Sequence, residues 1–306
     1  MRVILGILLF YARFGVSFSA IGFFARRLFW RNGSFDLSGK TILITGASGG
    51  IGAAVARDTA VAGANVIAVA RNPEKLAQLQ DSIATPIQTR VCDLSDTSAV
   101  RALAQSLIDD GESIDVLVNN VGVMLHEFST NADGVDTQFA TNLLNQYVLT
   151  EALQQNGLSS DAAVITVASG GMYMAPLVTA ALASDDATAH DGTQAYAIQK
   201  RAQVVLTEHW QSQTDTTATF YVMHPGWVDT AGVKQSLPTF RKLLAPILRN
   251  ATQGADTIVW LAASRPASTG DSIWLDRKAR SVHAYGFTRT RSESAETLLG
   301  FLKKFL

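Results

Sequence analysis

The run Lys40 to Gly52, K-T-I-L-I-T-G-A-S-G-G-I-G, constrains the fold of this 306-residue chain more than any other stretch. A β-branched segment, Thr41 to Thr45, breaks into a glycine-rich turn, and Ala53, Val55, Ala56 and Ala60 follow at helical spacing. Strand, tight turn and helix in that order open a dinucleotide-binding unit. Gly46 permits the turn, Gly50 lets backbone approach a pyrophosphate, and Gly52 lets the helix pack closely on the sheet. Ser48 and Ile51 belong to the same cradle. The helix N-terminus, with unpaired N–H groups and the positive end of its dipole, then faces the phosphates. The spacing is G-x-x-x-G-x-G rather than G-x-G-x-x-G, so the flanking strand and helix carry the reading.

The alternation continues. Asn65 to Ala70, Ile87 to Cys92, Asp115 to Asn119, Ala162 to Ala168 and Thr219 to Met223 read as strands, with helical spacing between them at Val100, Leu103 and Leu107 and again at Phe139, Leu143, Leu144 and Val148. A helix is expected over Ala195 to His209, another over Gly254 to Ala263, and a seventh strand over Ser272 to Leu275. Unbroken βα alternation predicts an α/β fold, one doubly wound parallel sheet of about seven strands with helices on both faces. The tail, Ser292 to Leu306, carries Leu298, Leu299 and Leu302 at helical spacing and is expected to dock on the domain or to join the N-terminal arm at a membrane.

That arm is distinct. Residues 1–31 hold Arg2, Arg13, Arg26, Arg27 and Arg31 and no acid, whereas the whole chain has a net charge of −1. Val3 to Phe24 is long and apolar, yet Arg13 interrupts it. On a helix Arg2, Gly6, Arg13, Ser17, Ala20, Arg27 and Arg31 fall on one stripe, with Phe10, Phe14, Phe18 and Ile21 off it. A basic stripe on an apolar helix suits an anchor lying on the cytoplasmic face of a membrane, arginine heads at lipid phosphates. A true span, or a helix buried against protein, are the competing readings. Residues 1–37, with Asn32-Gly33-Ser34 as linker, are therefore separated from a dinucleotide-binding domain over 38–306, and an enzyme is expected to keep soluble activity without the arm.

Several classes are excluded. A balanced charge and no basic patch with interleaved aromatics argue against a nucleic-acid binder. One cysteine, Cys92, precludes an internal disulfide, fits a reducing compartment, and at the end of an apolar run reads as a core thiol. The five histidines show no metal-ligand spacing, so no metal is assigned.

Chemistry is concentrated in Y-A-I-Q-K. Tyr196 and Lys200 stand four apart, on one helix face. A phenol near pKa 10 is a poor base at neutral pH, and an adjacent ammonium favours the phenolate. Tyr196 is then able to give a proton to a carbonyl oxygen or take one from an alcohol. Ser169 ends the fifth strand with a hydroxyl that suits a substrate oxygen. Asn142 is a polar residue in an apolar helix, suited to holding a water, and His224-Pro225-Gly226 ends the sixth strand. Arg71, at the end of the second strand where an acid selects the unphosphorylated cofactor, would pair with a 2′-phosphate, which favours NADP(H) over NAD(H).

These pieces together (T-G-A-S-G-G-I-G, C-D-L, N-N-V-G, Asn142, V-A-S, Y-A-I-Q-K, H-P-G-W) resemble the short-chain dehydrogenase/reductase family over roughly residues 38 to 280. The resemblance implies a catalytic set Asn142–Ser169–Tyr196–Lys200, with Lys200 also on the nicotinamide ribose. It implies contacts from Asp93, Leu94 and Asn119 near the adenosine half, and from Gly122, Pro225, Gly226, Val228 and Thr230 further along. Homo-oligomers are usual in that family. The long segment between Ser169 and Tyr196, with H-P-G-W-V-D-T, resembles its retinol-dehydrogenase-like branch. Val204 to Glu208, Gly226 to Thr230 and Gln253 to Thr257 resemble an orphan vertebrate member of that branch. Position 168 is alanine where a serine is usual, and 121 is valine where an alanine is usual. Apolar residues in the insertion (Met172, Tyr173, Met174, Leu177, Val178) and after Trp227 (Val233, Leu237, Phe240, Leu243, Leu244) suggest a lid over a lipophilic small-molecule substrate such as an aldehyde, a retinoid or a sterol-like ketone. The competing functions are an NADP(H)-binding redox sensor or scaffold without turnover, and a membrane-surface assembly factor.

Overall fold

The computed structural model describes residues 2–30, 33–188, 190–213, 216–268 and 271–306, with side chains from residue 10 onward. Arg31, Asn32 and the Arg2 side chain of the basic stripe lie outside the described residues.

Two helices form the arm, α1 (Arg2–Phe18) and α2 (Ala20–Arg27). The glycine unit follows as β1 (Thr41–Thr45), α3 (Gly50–Val61) and β2 (Asn65–Ala70). Next come α4 (Pro73–Asp81), β3 (Gln88–Val91), α5 (Thr97–Asp109) and β4 (Ile114–Asn119). A single helical rod then runs through α6 (Thr137–Phe139), a π-helical turn (Ala140–Leu144) and α7 (Asn145–Asn156). The second half comprises β5 (Leu158–Val167), α8 (Gly192–Ser212), β6 (Thr219–Met223), α9 (Ala231–Ser236), α10 (Pro238–Leu244) and α11 (Ala251–Ser264). The chain closes with β7 (Ser272–Leu275), β8 (Lys278–Ser281), α12 (Phe287–Thr290) and α13 (Ala295–Leu302).

The strands form one sheet in the order β3-β2-β1-β4-β5-β6-β7-β8, parallel except for the β7–β8 pair. Successive side chains of a strand point to opposite faces, and β1 divides accordingly. Ile42 and Ile44 face a core completed by α3, α4 and α11, while Leu43 faces one completed by α5, α7, α8 and α13. Because β1 lies between β2 and β4, the winding reverses beside the glycine turn, the position where open α/β sheets bind ligands.

β1, β2, β6 and β7 have the bounds read from the sequence. β5 starts earlier than expected, at Leu158, because it pairs with Ile114 before a register shift between Ile114 and Val116. β8 is an addition. It returns from β7 through Asp276 and Arg277, both in the left-handed region (φ 51 and 60), as a two-residue hairpin demands. The tail docks on the domain: Leu298 and Leu302 are buried, and Phe301 and Phe305 pack on Phe139.

The arm lies on protein too. Phe18, Ser19 and Phe23 are buried, and Phe18 joins a third core with Met172, Tyr173, Val222 and Trp227. Among the described residues no helix is long and apolar enough to cross a membrane.

Candidate active site

The glycine turn is fixed from both sides. Thr45 Oγ1 donates to the Val118 carbonyl (3.2 Å) and accepts from the Asn120 and Val121 amides (3.0 and 3.2 Å). The Asn120 side chain donates to the carbonyls of Thr45 (2.8 Å) and Gly46 (3.3 Å). Neither residue is singled out by the sequence reading, although Thr45 opens T-G-A-S-G-G-I-G and Asn120 is the second asparagine of N-N-V-G. Gly46 and Gly50 have φ of +66 and +52, where other residues are strained. A Cβ on Gly52 would lie 2.3 Å from the Gly46 carbonyl oxygen, so the helix closes on the strand only without one.

What the turn leaves open is informative. Helices α4, α5, α8 and α11 are capped by the side chains of Asn72, Asp96, Asp191 and Asn250. Helix α3 has Gly49 at its N-cap and so no side-chain cap. Its first N–H groups are thus available to an anion at the positive end of the helix dipole. Thr230 overhangs this point, its methyl 3.2 Å from where a Gly50 Cβ would stand, and its hydroxyl caps α9. Val228 and Ile51 meet over Gly254, where a Cβ would be 2.7 and 3.2 Å from them. An uncapped helix behind a glycine-rich turn fits a dinucleotide phosphate.

On the adenosine side Arg71 is exposed just past β2. Asp93 accepts from the Ser95 amide and hydroxyl, both at 2.9 Å, and Leu94 is buried. Asn119 is turned away into the core, donating to Thr150 Oγ1 at 3.0 Å. Cys92 is a buried thiol that desolvation pushes up to about 11, which keeps it inert.

At the reaction end α8 carries Tyr196 and Lys200 one turn apart, with Ser169 opposite. Lys200 Nζ donates to the Val167 carbonyl (2.9 Å), lies 5.5 Å from the Tyr196 ring centre, and would be 3.2 Å from a Cβ on Gly122. Burial lowers the Lys200 pKa to about 7. The sequence leads one to expect a phenol drawn down by that ammonium. Instead burial pushes Tyr196 up, and its hydrogen bond with Ser169 is what pulls it back. Desolvation penalises both charged forms at once, so in the protein alone the pair rests with the phenol protonated.

Asn142 stands in the π-helical turn, fully buried. Its Oδ1 accepts from the Val123 amide (2.8 Å), and its Nδ2 donates to the Val123 carbonyl (2.7 Å) and to Gln199 Oε1 (2.8 Å). The residue therefore pins the loop after β4. A π-turn breaks the regular ladder, and the Asn142 carbonyl accepts from Gln203 Nε2 (2.7 Å). Gln203 also donates to Gln146 (2.5 Å), which donates to Thr166 (3.0 Å). Gln199 and Gln203, four apart on a buried helix face, are the signal that sequence reading passed over.

His224 accepts from the Gly226 amide at Nδ1 (2.7 Å), and burial beside Arg249 lowers its pKa to about 3, so it is neutral. Asp191 caps α8, accepting from the Thr193 and Gln194 amides. The apolar insertion divides: Met172 and Leu177 are core, while Met174 is exposed. Helix α9 is latched to the loop after β4 by Ser236 Oγ donating to the Met124 carbonyl (2.8 Å) and by His126 Nε2 against the Ser236 carbonyl (2.7 Å).

Residues 40–239 match the family model described as short chain dehydrogenase. Dehydrogenase/reductase SDR family member 12 of Bos taurus is 39% identical over 269 residues, covering 85% of this chain and 84% of that one. Retinol dehydrogenase 12 of Homo sapiens is 32% identical over 231 residues, 72% of each. Among solved structures, a short-chain dehydrogenase/reductase from Brucella melitensis superposes with a TM-score of 0.65 at 21% identity, covering 79% of this chain and 97% of that one. BdcA in complex with NADPH does so at 0.59 and 24%, covering 76% and 89%. The chain belongs to the short-chain dehydrogenase/reductase family, in its retinol-dehydrogenase-like branch, and is an NAD(P)-dependent oxidoreductase.

Proposed function

We propose that the protein is an NADP(H)-preferring oxidoreductase that interconverts a carbonyl and an alcohol on a lipophilic small molecule, with Tyr196, Ser169, Lys200 and Asn142 as its working residues. The observation that carries this reading is the buried Tyr196 phenol hydrogen-bonded to Ser169 and one helical turn from Lys200. The nicotinamide, when bound, supplies or takes the hydride. Gly46, Ser48, Gly50, Ile51 and Gly52 would hold its phosphates, with Thr230, Val228, Pro225 and Gly226 along the far side. Ser169 fixes the substrate oxygen beside the phenol. Tyr196, protonated at rest, gives its proton to that oxygen in reduction and recovers it in oxidation. Lys200 has one protein acceptor at 2.9 Å, which leaves N–H groups for a ribose. Asn142 acts through Val123, holding the loop that forms the opposite wall.

Arg71 supports the phosphorylated cofactor, since its exposed guanidinium stands where the second strand ends. Exposed Ile21, Phe24, Leu28 and Phe29 on and just after α2, with Arg27 among them, suit the outer side of the arm to a cytoplasmic membrane surface. The test is a panel of aldehydes, ketones and alcohols followed at the nicotinamide absorbance with each cofactor. Apolar carbonyls are expected to be preferred, and Tyr196→Phe to lower kcat by about 10²–10⁴-fold while cofactor binding persists. Turnover untouched by that substitution would refute the assignment.

A further inference from the structure

The arm meets the domain at its reaction end. Gly170, which follows Ser169, has no Cβ; one built there would stand 3.3 Å from Phe10 Cζ, 3.3 Å from Phe18 Cε2 and 3.1 Å from His224 Nε2. The rings of α1 therefore seat on bare backbone one residue past Ser169. Phe18 stacks on His224 at 4.2 Å, and its carbonyl accepts from the Trp227 amide at 2.8 Å.

A buried cation fastens this contact. Arg249 is 1% exposed and donates to the carbonyls of Ser17 (3.1 Å), Phe18 (3.0 Å), Ser19 (3.3 Å) and Pro225 (3.2 Å). Both carboxylate oxygens of Asp276 pair with it, at 2.6 and 2.9 Å, and Arg26 of α2 binds the same carboxylate at 2.6 Å through Nε. Three of the four carbonyls belong to the arm, so removing the arm would leave a buried guanidinium short of acceptors. Deleting the arm is therefore expected to cost the domain stability as well as a surface.

Outward from Phe18 the aromatic contacts continue. Phe14 stacks on Tyr173 at 5.0 Å, Tyr11 lies 5.5 Å from Trp227, and Trp227 lies 5.4 Å from Phe240. Phe10 and Phe14 are only partly buried, and Tyr11 is 37% exposed. An aromatic surface with one end at Gly170 and His224 and the other at solvent is thus formed largely by Phe10, Tyr11, Phe14 and Phe18.

We propose that helix α1 is a wall of the substrate site, with Phe10, Tyr11 and Phe14 receiving the apolar body of an extended carbonyl or alcohol whose oxygen lies at Ser169 and Tyr196. This rests on the oxidoreductase reading and adds to it that specificity is set by the arm. Ring faces offer large apolar area with few rotatable bonds, which favours long or flat hydrocarbon over short polar groups.

The test uses the full-length protein and a straight-chain aldehyde series from propanal to decanal. The readout is the ratio of kcat/KM for decanal to that for propanal. Tyr11→Ala and Phe14→Ala are each expected to lower that ratio about tenfold, chiefly through KM, and Tyr11→Phe to restore it. Equal losses on both aldehydes mean that the rings only support the fold, and overturn the proposal. Tyr11 is half in solvent, so its variant tests the wall even where Phe14→Ala fails to fold. A second measurement is independent of turnover: 1-decanol is expected to raise the Tm of the wild type and not of the two alanine variants. A decanol shift lost in the variants, with no aldehyde reduced, refutes the catalytic reading and keeps the wall. Propanal reduced, with no decanol shift, refutes the wall and keeps the catalytic reading.

Discussion

The nucleotide side and the substrate side of this site are held by different means. Around the glycine turn the shaping contacts come from Thr45, Gly46, Asn120 and Val121, backbone and small side chains on two adjacent strands. At the ends of β5 and β6 the shaping group is one ion pair, Arg249–Asp276, and the carbonyls it gathers reach 232 positions back along the chain. The first arrangement is stiff through short neutral hydrogen bonds around glycines, and the second through a charge that tolerates no loss of partners. A cradle of the first kind accepts an anion without rearranging. A clamp of the second kind fixes chain segments that share no neighbouring sequence.

The contrast is sharpest at Asp276. Asp276→Ala strands the Arg249 cation, and a destabilisation of about 3–5 kcal/mol is expected, read from the urea midpoint. A loss under 1 kcal/mol would mean the clamp is not what holds this side. On the other side Gly52→Ala forces a Cβ against the Gly46 carbonyl at 2.3 Å. Overpacking of that kind costs about 1–3 kcal/mol, and cofactor affinity measured by titration should fall further than stability does. Equal effects of the two substitutions on cofactor affinity would erase the distinction.

Glu208 sharpens the comparison through pH. It lies on α8 with one carboxylate oxygen buried and unpaired, and burial raises its pKa to about 7 from an ordinary 4.5. A raised acid contributes most below pH 4.5, and that contribution is lost as pH climbs through 7, because the folded state holds the proton longer. Glu208→Gln is therefore expected to raise stability at pH 8 by about 1–3 kcal/mol and to do nothing of the kind at pH 4. A gain equal at both values would show that packing, not titration, is responsible. Lys200 works the other way: its pKa is lowered to about 7, so its burial penalises folding below pH 7 and relents as pH rises toward 10.5. The smallest effect is at the start of α8, where Asp191→Ala removes the cap from the Thr193 and Gln194 amides. About 1 kcal/mol is expected from a lost cap, with Tyr196 turnover more sensitive than global stability.

What the sequence discloses follows the same division. The strands at Thr41, Asn65, Thr219 and Ser272, the glycine turn and the Tyr196–Lys200 pair are local patterns, and their periodicity is visible in one dimension. Arg249 stands between Leu248 and Asn250 with nothing to mark it as buried, since its partners are remote. β8, K-A-R-S, has no apolar alternation, and its turn uses Asp276 and Arg277 where a glycine or asparagine would have advertised a hairpin. Asn119 shows the converse: the motif is present, and its side chain serves the core through Thr150. The arm was open to three readings because its aromatic spacing suits lipid and protein alike; only the partners Tyr173, His224 and Trp227 distinguish them.

The clamp also sets an order of assembly. Phe18 leaves the ribosome 231 residues before Arg249, and Arg26 leaves 250 residues before Asp276. At cellular synthesis rates that interval is roughly 10–50 seconds, during which Phe18 and Arg26 lack the two charged groups that fasten them. The segment made first is thus fastened late, once Arg249 and then Asp276 have followed it out.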